Sequence, residues 1–419
     1  MTESSTSKGG SRAASHALSR RELMAGSGKL ALGAATASAL GGLSSLVAGP
    51  AQAAGFMAKR SFKIGFVGPL TGPVAPEGIS LQHGFDLGLE HVNAAGGIAG
   101  HPVVAIKQDD QAVPAKTGTI VKKFIQREKV DLILGTITSD EETVASRVAA
   151  SAGVPLVFIE AGYWEAFCGS TSVLLGETSY ELLTPLIPFM VQKFGKRWAL
   201  VGNDYTFPHA YLGVGKGLLA KQGAKVVEEQ YAPLGTADWS STIAKLKAAK
   251  PQVILSAVVG GDAIAFIKQA SSLGLLPGTQ ITGITLQPEF YGAMGKAVDG
   301  LHTAVRYTEE INTAANQKFK AAYHKKYGKG PIPLVGSTAY YSLQFIKAAV
   351  EKARSYDHKA VMKAFRSGLG VTTMLSDNPL KLDPKTLAVN YPMYICQIQP
   401  GGLFKIVKDA GVIGSGLKC

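Results

Sequence analysis

The chain has 419 residues, enough for two lobes with cores of their own, and its 46% hydrophobic and 17% charged residues are those of a soluble globular protein. Lys and Arg (43) outnumber Asp and Glu (30), a formal charge of +13. The cations are scattered along the chain and not interleaved with aromatics, so they read as solvated helix faces, and a nucleic-acid partner is excluded.

Residues 1–53 read as an export signal. A polar head leads to Ser19-Arg20-Arg21-Glu22-Leu23-Met24, then to a mildly apolar, Gly/Ala-rich run from Leu30 to Val47 and to Ala51-Gln52-Ala53, where cleavage is expected after Ala53. The paired arginines and Leu23 resemble a twin-arginine signal. A membrane anchor needs about 20 strongly apolar residues, and this run is too rich in glycine. Residues 54–60 are a linker, and the expected location is the periplasm.

The first fold element is a strand over 61–68, followed by a loop and a helix over 79–94 with apolar residues near 81, 85, 89 and 92. A glycine-rich exit, Asn93–Gly100, leads to a strand over 102–108 that ends in Asp109-Asp110, then to a helix over 114–128. That acidic pair suits turn closure better than a metal site. The stretch Lys129–Tyr163 organises the chain: strand 130–134, a break at Gly135, hydroxyls at Thr136, Thr138 and Ser139, a helix to Ala152, and a strand from Pro155 that ends in Glu160-Ala161-Gly162-Tyr163. Ligands bind beyond the carboxyl ends of parallel strands, and helix N-termini favour anions there. Ser139, as ligand contact or as helix cap, and the Glu160–Tyr163 corner therefore share one edge.

The pattern then restarts, with strands at 196–202, 225–231, 253–258 and 280–285 alternating with helices at 209–222, 239–249 and 261–274. A strand over 301–305, helices at 312–327, 337–353 and 359–367, an edge strand over 374–382 and a hairpin of 390–398 with 402–408 complete the chain. The reading is α/β: two Rossmann-like lobes with parallel central sheets. Facing loops across the cleft make a small-molecule site.

Enzyme signatures are missing: there is no G-x-S-x-G, P-loop, HExxH or conventional GxGxxG after the first strand. Neither cofactor nor metal is expected. Three cysteines permit one disulfide and one free thiol, with three pairings open among Cys168, Cys396 and Cys419; Cys168–Cys419, a staple for the tail, is the one expected.

In order and spacing, IGFVGPLTGP, GFDLGLEHVNAAGGIAGHPV, KQDDQAVPAKTGTIVKKFI, the Gly135–Ser139 turn, LVGNDYTFP, VILSAVVGGDAIAFIKQASSLGL and VDGLHTAV resemble the leucine/isoleucine/valine-binding type of ABC-transporter solute receptor (type I periplasmic binding proteins). LVGNDYTFPHAY and the block after it look more like the amide- and urea-binding branch. The resemblance implies a Venus flytrap with three crossovers: lobe 1 from 61–183 plus 308–386, lobe 2 from 184–307 plus 387–410, and a tail of 411–419. It implies no catalysis, a small polar solute (an amino acid, an amide or urea, or a related amine), an ABC permease as partner, and a monomer or weak dimer.

Residue by residue, the resemblance assigns Ser139, beside Thr138, as the hydroxyl for a ligand oxygen and Ala161 as a backbone contact. Gly162 stands where amino-acid binders have Thr, and Tyr163 offers an aromatic wall. Tyr205 and Phe207 lie in the loop that sends an aromatic across the cleft, with Phe207 nearest the family's tyrosine. Glu289 matches the acid that pairs with an ammonium, Glu77 stands where many relatives place an aromatic, Glu160 adds a third carboxylate, and Tyr307 is a further wall. Three acids on one pocket favour a cationic or amine-bearing solute.

Overall fold

Short apolar runs bounded by Gly, Pro and Asp supply the strands here, and small residues let the covering helices approach closely. The computed structural model describes residues 60–161 and 170–419. The export signal and the expectations for Gly162, Tyr163 and Cys168 lie outside the described residues.

The first lobe is built from β1 (Phe62–Gly68), α1 (Ala75–Ala94), β2 (Val103–Asp109), α2 (Pro114–Lys123), a π turn Phe124–Glu128, β3 (Leu132–Leu134), α3 (Ser139–Ser151), β4 (Leu156–Phe158) and β5 (Ser172–Leu174). The strands lie parallel in the order β2-β1-β3-β4-β5. α4 (Ser179–Phe194) leads into the second lobe: β6 (Arg197–Asn203), α5 (Thr206–Lys221), β7 (Lys225–Ala232), α6 (Ser240–Ala249), β8 (Val253–Ala257), α7 (Gly260–Ser272) and β9 (Gln280–Thr282). Its parallel order, β7-β6-β8-β9, repeats the first lobe's reversal at the leading strand.

A turn over Pro288–Phe290 and the short α8 (Tyr291–Met294) lead to β10 (His302–Val305), tied to β9 by Thr282 Oγ1 donating to His302 O at 2.7 Å. After α9 (Ala314–Tyr327), α10 (Leu334–Ala353), α11 (His358–Phe365) and the antiparallel pair β11 (Gly370–Thr373) and β12 (Ser376–Lys381), the hairpin β13 (Tyr391–Ile398) and β14 (Phe404–Ile413) returns. β13 pairs antiparallel with β10, so the hairpin and β10 form a sheet of their own in the order β10-β13-β14. α10 packs on α1 so closely that a Cβ at Gly84 would sit 1.8 Å from Gly336 O.

Several elements differ from the sequence reading. α1 begins at Ala75, four residues early, because Pro76 in its first turn supplies a pre-set φ and has no N–H to leave unpaired. The single strand expected over 374–382 is a hairpin that turns at Met374-Leu375, with only Ser376–Lys381 in its second strand. β14 runs on to Ile413, pairing Val412 with Pro392 and Ile413 with Tyr391, beyond the expected end at Lys408.

Candidate functional site

The site is assembled from strand ends. Glu77 lies in the first turn of α1 after β1, Thr138 and Ser139 open α3 after β3, and Glu160 follows β4. From the other lobe come Tyr205 after β6, Gly260-Gly261 after β8, and Glu289 in the turn beyond β9. Carboxyl ends of parallel strands thus meet from both sides.

Thr138 is the cap of α3. Its Oγ1 accepts from Glu141 N (3.4 Å) while its own N–H donates to Glu141 Oε2 (2.7 Å), a reciprocal capping box. Ser139 is the first helical residue, with its side chain buried and its carbonyl accepting from Thr143 Oγ1. The capping task falls on Thr138, and Ser139 is spared it.

Glu77 spans the lobes. Its Oε1 accepts from Gly260 N at 2.7 Å, and the neighbouring Gly261 N donates to Pro73 O at 2.9 Å. Its Oε2 is buried without a hydrogen-bond partner, as are Glu160 Oε2 and both carboxylate oxygens of Glu289. Burial, and then the charge of Glu289, hold the Glu77 carboxyl well above the usual range. Burial lifts Glu160 to about 7 against the pull of Arg306, and burial with Glu160 nearby lifts Glu289 to about 8. The structure therefore brings these three acids within electrostatic reach of one another. Glu142, beside the capping box, is fully buried with neither oxygen partnered. Burial, and then the charge of buried Asp110, push the Glu141 carboxyl up.

Of the two aromatics after β6, Tyr205 faces these acids: after burial, the charges of Glu77, Glu141, Asp140 and Glu160 all raise its phenol. Phe207 is placed elsewhere, in the lobe core against Tyr211 with ring centroids 5.6 Å apart. Tyr205 is the N-cap residue of α5 in extended backbone, so two residues later the helix has turned inward. Tyr307 is likewise core, edge-on to Phe319, and Ala161 is buried in the segment that follows β4. Asp109 closes a turn, accepting from Leu70 N (2.9 Å) and Thr71 Oγ1 (2.7 Å). Among the described residues no group of three His, Cys, Asp or Glu side chains is placed to hold a metal ion.

Behind the acids, buried polar groups tie the crossovers together. Arg306, which follows β10, pairs with Glu177 and donates to Thr338 Oγ1 and to Leu334 O on α10. Tyr391 Oη donates to Leu175 O at 2.8 Å, and Tyr391 N to Glu181 Oε1 at 3.0 Å. The sequence reading gave none of these residues a role, since an Arg and a Glu so far apart in the chain carry no local signal. Cys396 is a free, buried thiol on β13, and Cys419 is disulfide-bonded.

Residues 61–403 match the model of the family described as periplasmic binding protein. The chain belongs to that family. This periplasmic binding protein is a receptor and not an enzyme. Among curated relatives, Leu/Ile/Val-binding protein homolog 7 of Brucella suis biovar 1 (strain 1330) is 28% identical over 392 residues, covering 88% of this chain and 96% of its own. Homolog 8 of Brucella abortus (strain 2308) is 25% identical over 322 residues, covering 73% and 80%. Among solved structures, an ABC-transporter solute-binding protein from Rhodopseudomonas palustris BisB5, in complex with 3,4-dihydroxybenzoic acid, superposes with a TM-score of 0.76 at 24% identity, covering 85% of this chain and 98% of that one. A leucine-binding protein from Thermotoga maritima MSB8 gives 0.74 at 18%, covering 84% and 99%. These likenesses establish the two-lobed type I fold.

Proposed function

We propose that this periplasmic binding protein is the exported solute receptor of an ABC importer, and that its cleft closes on a small amine-bearing solute for delivery to a membrane permease. The observation that carries this reading is the trio Glu77, Glu160 and Glu289, drawn from both lobes, each of which has at least one buried oxygen without a partner. Buried carboxylates want a cation or a proton. An ammonium group would satisfy all three at once and stabilise the closed state in which the lobes meet. An aromatic carboxylate, by contrast, would meet like charge, and the buried guanidinium of Arg306 is already paired with Glu177.

One observation favours a second reading. With Glu160 at about 7 and Glu289 at about 8, protonated carboxyls near neutrality can donate to a neutral amide or urea carbonyl. LVGNDYTFPHAY, which looks like the amide-binding branch, points the same way.

A thermal-shift panel at pH 6 and pH 8 with amino acids, amines, short amides, urea and benzoates separates the readings, because a solute that binds only the folded chain raises its melting temperature. Amines should bind more tightly at pH 8, where the acids ionise, and lose at least about tenfold in affinity on Glu289→Gln. Amides should bind better at pH 6 and tolerate that change. A shift with benzoates alone would overturn both readings.

A further inference from the structure

α7 begins with a residue that cannot cap it. The N–H groups in the first turn of a helix have no partner within it, and a side-chain oxygen at the N-cap usually takes one of them. α3 and α4 follow that rule with Thr138 and Thr178, each in a capping box. The N-cap of α7 is Val259, whose side chain has no acceptor. Asp262, the acid of its first turn, is occupied elsewhere: its Oδ2 accepts from Asn203 Nδ2 (2.7 Å), Gly235 N (2.9 Å) and Thr236 N (3.0 Å). The other lobe supplies what is missing. Gly260 N donates to Glu77 Oε1 at 2.7 Å and Gly261 N to Pro73 O at 2.9 Å, both acceptors lying at the entry to α1. Asn203 Oδ1 accepts from Val259 N at 2.9 Å, so Asn203 and Asp262 together pin the start of α7 with those two N–H groups aimed across the cleft. Glu77 Oε2 takes no part in this contact.

We propose that Glu77 is the cap of α7 supplied in trans, a latch made only when the lobes close, and that it sets the closed population whichever solute the cleft takes. Opening strips α7 of this cap, so the bond favours closure without contributing to the fold of either lobe. The acceptor is a single oxygen, so Gln can replace Glu77 in the latch and Met cannot. The test follows hydrogen exchange at Gly260 N–H by NMR in the exported protein with no solute added, because this N–H is covered in the closed form and free in the open one. Glu77→Met should speed that exchange at least about tenfold, and Glu77→Gln less than about threefold. Val259→Thr gives α7 a cap of its own, which takes Gly261 N or Asp262 N once the lobes part. With Glu77 untouched, Gly260 should then exchange about fivefold faster. Phe266 N–H, in the interior of α7, should keep its rate in all three variants, which separates loss of the latch from unfolding. The latch would be overturned by Gly260 exchange as fast in the unmodified protein as in Glu77→Met, by equal loss in Glu77→Gln, by an unchanged rate in Val259→Thr, or by matching acceleration at Phe266. No solute enters the experiment, so such an outcome leaves the solute reading to the thermal-shift panel.

Discussion

Glu160, Glu181 and Glu289 are buried carboxyls lifted to about 7, about 8 and about 8, from an ordinary 4.5. Below that ordinary value both folded and unfolded chains hold these protons, and the full stabilisation is present. As pH rises to 7–8 the unfolded chain ionises first, so the folded state loses stability progressively through that window. The empty receptor should therefore melt higher at pH 5 than at pH 8, by on the order of 5 °C. A melting temperature that is level or rising over that range would show the acids to be compensated in the apo state. The sequence made the cleft acids visible as strand-end carboxylates. It did not show which aromatic faces them, because whether Tyr205 or Phe207 points inward depends on the residue at which α5 starts.

Glycine decides two contacts between elements. α1 meets α10 at Gly84, where an added Cβ would lie 1.8 Å from Gly336 O, and Gly88 repeats the approach one turn later at 2.9 Å from Tyr340 O. Gly84→Ala must push these helices apart, and urea unfolding should register a loss of about 3 kcal/mol. The start of α7 is different in kind, for it is a contact of closure. Gly260 has φ +62° and its Cβ would lie 2.4 Å from Pro73 O across the cleft. Gly260→Ala should leave the separate lobes folded but disfavour the closed form, giving about tenfold weaker solute binding and a larger radius of gyration by X-ray scattering. The parallel alternation that frames these contacts was legible, because Val253–Ala257 and its counterparts are buried apolar runs between turn residues. α4 was not: Pro185 and Pro188 lie inside it and break the expected helical signature. β5 escaped because three residues, Ser172–Leu174, are too few to show a period.

Across the whole molecule, the crossovers share one buried network in which Arg306 is central. Its guanidinium is fully buried against Glu177 and α10. Arg306→Met leaves Glu177 charged and unpaired in the interior, and a loss of about 3–5 kcal/mol is expected in urea unfolding. Combining it with Glu177→Leu should recover most of that loss, and a double-mutant cycle measures how much belongs to the pair. A purely additive cycle would mean that the two side chains act independently at the hinge.

Cys396 gives the protein an internal clock. The thiol is fully buried on the central strand of β10-β13-β14, and burial pushes it well above its ordinary range, so it is unreactive in the native state. A maleimide in solution can reach it only when that sheet opens. The labelling rate under native conditions thus counts spontaneous openings of that sheet, with no engineered probe. A solute that binds only the folded receptor should slow that count in proportion to occupancy.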